Sequence, residues 1–148
     1  MKILFVCVGN TCRSQMAEGF ARQFGGGRVE VRSAGTSAAG VVNRSTMEAM
    51  KEVGIDISGH TSDQLSSEMV DWADVVVTLG CCPAEKFWPA AFDGRMFDWK
   101  IDDPLGRPWD VMRRTWEQVR DGDLLSDARI TTGRLLWGFV LGSAPGLV

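Results

Sequence analysis

The chain has 148 residues, 45% of them hydrophobic and 24% charged, which suits one globular domain over 1–148 with a core that needs no cross-links. A net charge of -3 and a pI near 5.1 offer no basic stripe to nucleic acid, so any anion site is local. The opening run is too short for a secretory signal, and the apolar stretch 135–141 falls short of the roughly 20 residues a membrane span requires. That stretch is expected to pack on the core or on another subunit. With no export signal, the four cysteines are expected in a reducing compartment, the cytoplasm, as catalytic or redox-sensing thiols and not as staples.

In chain order, the apolar run at 2–8 predicts a first strand. Met16, Phe20 and Phe24 share one face of a helix over about 14–24, which Gly25, Gly26 and Gly27 end. A short strand is expected at 29–33, followed by a turn at 34–36. A helix over 43–53 follows, with Asn43 as its N-cap and Gly54 as its C-cap. Residues 55–57 read as extended, and Thr61, Ser62 and Asp63 as the opening of a short helix carrying Leu65. The β-branched run at 74–79 is the pattern of a central parallel strand buried on both faces. A loop over 80–93, a fourth strand at 95–99, a helix at 109–120 entered through Pro108 and a last helix at 127–137 complete the chain. Alternating strands and helices imply an α/β fold with a parallel sheet and right-handed crossovers, whose ligands sit at the carboxyl ends of the strands.

Cys7 falls at such an end. Between the first strand and the first helix runs Cys7-Val8-Gly9-Asn10-Thr11-Cys12-Arg13-Ser14, a tight loop with a thiol at its start and an arginine at the mouth of the helix. Successive loop N–H groups, the positive end of the helix dipole and the Arg13 guanidinium converge on one point, which makes a cradle for a tetrahedral oxyanion. The same field favours the thiolate of Cys7, which supplies a nucleophile at neutral pH, and Ser14 can donate a hydrogen bond to the sulfur.

These residues, with Gln15-Met16-Ala17-Glu18-Gly19 after them, resemble the phosphate loop of the low-molecular-weight protein tyrosine phosphatase superfamily. Ser14-Gln15-Met16-Ala17-Glu18 points to its thioredoxin-coupled arsenate reductase branch, since the true phosphatases usually place proline after the serine. Further matches occur at 33–35, 49–52, 56–58, 60–63, 74–79 and 102–106, so the resemblance reaches to about residue 120 and fades beyond it. It implies a three-layer α/β/α fold with a four-stranded parallel sheet.

It also implies roles. Cys7 is the nucleophile, Arg13 clamps the oxyanion with the loop residues Val8, Gly9, Asn10, Thr11 and Cys12, and Ser14 tunes the thiol. Asp103, before Pro104, matches the general acid, although an aspartate opening a turn ahead of proline explains it equally well locally. In the arsenate reductases a second cysteine attacks the arsenic adduct of the first, and Cys81 stands where it should be. A third, seven residues later, relays the disulfide to thioredoxin. Here that position holds Trp88, and Cys82 is the remaining option. A Cys81-Cys82 bond would close a strained ring, so either the loop is rebuilt around a vicinal pair, or Cys7-Cys81 is reduced directly by thioredoxin or a small thiol, or the relay is lost. Two buried apolar cysteines after a core strand are the plainer alternative.

A Cys7-Cys12 bond protecting the nucleophile from over-oxidation and simple loop packing of Cys12 are both open. Asn10, Glu18, Ser33 and Asp63 match a structural potassium site of the arsenate branch, or else form a hydrogen-bond network without metal. No other cofactor is required. His60, the sole histidine, is expected to be a structural hydrogen-bonder, and a four-cysteine zinc site is disfavoured by the arginine beside two of its thiols.

Arsenate reduction is therefore the leading expectation, with arsenate or phosphate as oxyanion and thioredoxin or a low-molecular-weight thiol as reductant. A phosphatase for phosphotyrosine or small aryl phosphates is the alternative. It is weakened by Leu105, where such enzymes carry tyrosine, and by the absence of tyrosine from the chain. A redox sensor using Cys12 or the vicinal pair would keep the loop and show no turnover.

Overall fold

The computed structural model describes residues 1–81 and 95–121. Four strands, β1 (Lys2–Cys7), β2 (Glu30–Gly35), β3 (Val75–Thr78) and β4 (Arg95–Asp98), form one parallel sheet in the order β2-β1-β3-β4. Helix α1 (Arg13–Gly25) joins β1 to β2, helices α2 (Arg44–Glu52) and α3 (Ser67–Trp72) lie between β2 and β3, and α4 (Trp109–Asp121) follows β4. The register sets Cys7 beside Gly35 and Val6 beside Thr78, so the carboxyl ends of the central strands meet at one rim.

The period-2 geometry of a strand divides the side chains between two cores. Ile3, Phe5, Val75, Val77 and Phe97 face Met16 and Phe20 of α1 and Met112 and Val119 of α4. Leu4, Val6, Ala34 and Val76 face Val70 of α3 and the adjoining Ala73. Phe20 stacks on Phe24 at 5.9 Å and meets Trp116 of α4 at 6.5 Å, so the apolar stripe of α1 is covered along its length. Arg113 grips Glu52 through two hydrogen bonds and ties α4 to α2. This is the expected three-layer α/β/α arrangement.

Several boundaries differ from the sequence expectation. Strand β1 ends one residue early, at Cys7, and β2 runs on through Ala34 and Gly35, the residues assigned to a turn. Asn43 caps α2 as expected, accepting from Thr46 N at 3.3 Å, whereas the C-cap is Val53 and Gly54, expected there, follows it at φ +81. Thr61, Ser62 and Asp63 open no helix. They run beside the end of β2, where Gly35 N donates to Asp63 O and Leu65 N to Gly35 O, and α3 starts only after Ser66, whose hydroxyl accepts from Met69 N. Backbone pairing with the sheet edge outcompetes the capping signal there. The expected helix at 127–137, the apolar stretch 135–141 and nearly all of the loop over 80–93 lie outside the described residues. Among the described residues no helix is long and apolar enough to cross a membrane.

Candidate active site

The loop between β1 and α1 is pinned from outside by its carbonyls. Cys7 O accepts from Thr36 N, Val8 O from Ser37 N, Gly9 O from Ala39 N and Thr11 O from Asn43 N, while Asn10 O accepts from the Gln15 side chain at 2.9 Å. In a trans peptide the N–H points opposite to the C=O. Carbonyls drawn outward therefore turn the loop N–H groups inward, into an anion-binding nest at the start of α1. Gly35 makes this closeness possible, because a Cβ there would come within 2.5 Å of Val8 O and 2.9 Å of Asn10 N.

Asn10 is the hinge of the loop, with φ 47 where non-glycine residues are uncommon. Its side chain repays the strain: Oδ1 accepts from Asp63 N at 2.7 Å, and Nδ2 donates to Ser14 Oγ at 2.8 Å and to Ser33 Oγ at 2.9 Å. Because the Ser14 oxygen accepts from Asn10, its own hydrogen is free for the Cys7 sulfur, 2.9 Å away. Cys7 as a whole is buried, 3% exposed.

Arg13 is buried, and its guanidinium is held from behind. Nη1 donates to Leu79 O at 2.9 Å and to Ile101 O at 3.2 Å, leaving Nη2 to meet Asp103 Oδ2 at 3.3 Å. The second Asp103 oxygen accepts from Leu105 N at 3.1 Å. Nucleophile, clamp and the expected proton donor are thus brought to one mouth. The exposed large hydrophobic residues among those described, Val8, Val41 and Leu105, all border that mouth or the segment bonded to it.

The other cysteines separate. Cys12 is buried with its sulfur 3.7 Å from the Met112 sulfur. Burial above all, with the Asp103 and Cys7 charges adding and Thr46 and Arg13 opposing, pushes its thiol up to about 12. Cys81 is half-buried after β3, with its sulfur 3.7 Å from the carbonyl of Val6, the residue before Cys7. It is disulfide-bonded, whereas Cys7 and Cys12 are free thiols. Cys82 lies outside the described residues.

Asn10, Glu18, Ser33 and Asp63 do come together, as the resemblance implied. Ser33 Oγ donates to Glu18 Oε2, and the Glu18 carboxylate also takes Arg22 at 2.8 Å. The Asp63 carboxylate turns away to accept from Thr61 Oγ1. Asn10 turns Nδ2 to Ser33 and Oδ1 to Asp63 N, and Glu18 has Arg22 as its cationic partner, so the four residues are joined as a hydrogen-bond network. Three contributors escape a reading of the sequence: Gly35, Gln15, and the carbonyls of Leu79 and Ile101. Each acts through contacts distant along the chain, and only the Gln15 identity stood out, as a branch marker.

Comparison with known proteins agrees with this geometry. Residues 2–122 match the model of the family described as low molecular weight phosphotyrosine protein phosphatase. Arsenate reductase 2 of Staphylococcus epidermidis is 44% identical over 119 residues, covering 80% of this chain and 89% of the relative. A solved structure described as "An arsenate reductase in the phosphate binding state" superposes with a TM-score of 0.75 at 38% identity, covering 88% of this chain and 97% of the other. The YwlE arginine phosphatase from Geobacillus stearothermophilus superposes with a TM-score of 0.74 at 35% identity, covering 88% and 94%.

Proposed function

The chain belongs to the low molecular weight phosphotyrosine protein phosphatase family, and within it we propose that this protein is an arsenate reductase. The observation that carries the reading is a second, redox-active cysteine at the rim that holds the nucleophile: Cys81, disulfide-bonded here, has its Sγ 3.7 Å from the carbonyl of the residue preceding Cys7. Hydrolysis needs one thiol, whereas reduction of arsenic needs two.

In the reduced enzyme, arsenate enters the nest and the Cys7 thiolate attacks arsenic. One arsenic–oxygen bond breaks, and Asp103 protonates the departing oxygen as water. The Ser14 hydroxyl, directed by Asn10, donates to the sulfur before attack, and Arg13 with the inward N–H groups carries the charge of the oxyanion. The Cys81 thiol then attacks the Cys7 sulfur. The arsenic–sulfur bond breaks with its electron pair left on arsenic, so arsenic(V) becomes arsenic(III), arsenite departs, and two thiols become a Cys7-Cys81 disulfide. Thioredoxin or a low-molecular-weight thiol returns both sulfurs to the reduced state, which places the enzyme in a reducing, cytoplasmic setting.

Arsenate turnover measured with thioredoxin, with glutathione and with another small thiol, beside hydrolysis of an aryl phosphate, tests the reading. Arsenite release with at least one reductant supports it. Hydrolysis without any arsenite release would replace it by the phosphatase reading, which Cys7, Arg13 and Asp103 alone can serve.

A further inference from the structure

Gln15 is fully buried in the first turn of α1, and both ends of its amide find partners inside the protein. Nε2 donates to Asn10 O at 2.9 Å and to Thr61 O at 2.8 Å, which uses both of its hydrogens. Oε1 is then left as an acceptor 3.0 Å from His60 Nδ1, so the imidazole must present its N–H there. His60 thereby completes the set of partners that holds the Gln15 amide in this orientation.

The carbonyl that Gln15 holds belongs to Asn10, the loop residue with positive φ, and Asn10 aims the Ser14 hydroxyl at Cys7. A continuous line runs from His60 through Gln15, Asn10 and Ser14 to the sulfur. An aliphatic side chain at position 15 could fill the space, yet it would take this donor from the buried Asn10 carbonyl and from the part-buried Thr61 carbonyl, and free Asn10 to relax from its strained conformation. Nothing in the chemistry at Cys7 requires Gln15 to touch substrate.

We propose that Gln15 is a positioning residue for the nucleophile, holding Asn10 in the conformation that turns Ser14 onto Cys7, and that His60 fixes the Gln15 amide in the orientation this needs. The inference rests on Cys7 being the nucleophile of the proposed function, and it holds whether the oxyanion is arsenate or phosphate.

The test is the rate of Cys7 alkylation by iodoacetamide as a function of pH, in the full reduced chain, with the labelled peptide identified by mass spectrometry. The Cys12 thiol, raised by burial, stays out of the neutral range. In Gln15→Leu the profile is expected to move up by about one pH unit, about tenfold slower labelling near neutrality. His60→Ala is expected to show part of that shift, and His60→Asn, whose side-chain N–H can take the place of Nδ1, to restore the wild-type profile. His60 is only half-buried, so its variants keep the question open to experiment if Gln15→Leu fails to fold. A folded Gln15→Leu protein with the wild-type profile would overturn the proposal, as would His60→Ala and His60→Asn behaving alike. Wild-type Cys7 labelling no faster than in the unfolded chain would overturn both this inference and the function it rests on.

Discussion

The Asp103 carboxylate reaches across the mouth of the loop to the Arg13 guanidinium, Oδ2 to Nη2 at 3.3 Å. The expected proton donor thus occupies the one arm of the arginine left free by Leu79 and Ile101. An incoming oxyanion has to share or take that arm. Because the Asp103 side chain is 48% exposed, the pair itself is worth only about 0–1 kcal/mol. Asp103→Asn is expected to bind inorganic phosphate a few-fold more tightly in calorimetry while its turnover falls by about 10²–10⁴. Loss of both binding and turnover would show that Asp103 builds the site instead of acting on the leaving oxygen.

The two thiols are separable by substitution. Cys7→Ser is expected to abolish arsenate reduction and aryl phosphate hydrolysis together without loss of the fold, since a serine hydroxyl is not ionised in the same loop. Cys81→Ser is expected to stop arsenite release with thioredoxin while hydrolysis continues. Equal arsenate turnover by Cys81→Ser and wild type would mean that an external thiol attacks the adduct.

Gly35→Ala places a methyl group 2.5 Å from Val8 O and 2.9 Å from Asn10 N, both backbone atoms. Either the loop or the end of β2 must move, at a cost of about 1–3 kcal/mol. The expected signature is a lowered melting temperature together with phosphate affinity reduced by more than tenfold. Phosphate binding at wild-type strength would show that the loop tolerates the shift.

Burial, the main cause, lowers the His60 pKa below its ordinary 6.5, with Arg22 adding and Glu18 and Asp56 opposing. The folded protein therefore favours neutral imidazole. Its contribution to stability is complete above the unfolded value near 6.5 and is lost as the pH falls through the lowered folded value. The melting temperature of wild type is expected to fall over that acidic window, and the fall is expected to be smaller in His60→Asn. Parallel curves for the two proteins would assign the pH dependence to the carboxylates.

The parts of this fold that could be read from the sequence are those written in contiguous residues. The apolar run of β1, the Met16, Phe20 and Phe24 stripe of α1 and the β-branched β3 each carry a period or a composition that local chemistry recognises. The order of Cys7, Arg13 and Ser14 along one loop likewise declares an anion site. The short helix expected to open at Thr61 lies further on, as α3, because its six residues bury a single side chain, Val70, too few for a period to fix its place. The grip of Leu79 O and Ile101 O on Arg13, and the closeness of Gly35 to Val8, join residues far apart in the chain, and nothing in their neighbours announces them.

The same two carbonyls give Arg13 a mechanical part beyond binding charge. Leu79 lies two residues before Cys81, and Ile101 two residues before Asp103, and the chains touch again where Gly80, at φ +69, leaves no room for a side chain beside the Ile101 backbone. The guanidinium is therefore a yoke across the segments that carry the second thiol and the proton donor. An oxyanion bound by Arg13 is therefore held by a group that is itself fastened to both segments, so the arginine that binds charge also sets the spacing between the second cysteine and the proton donor.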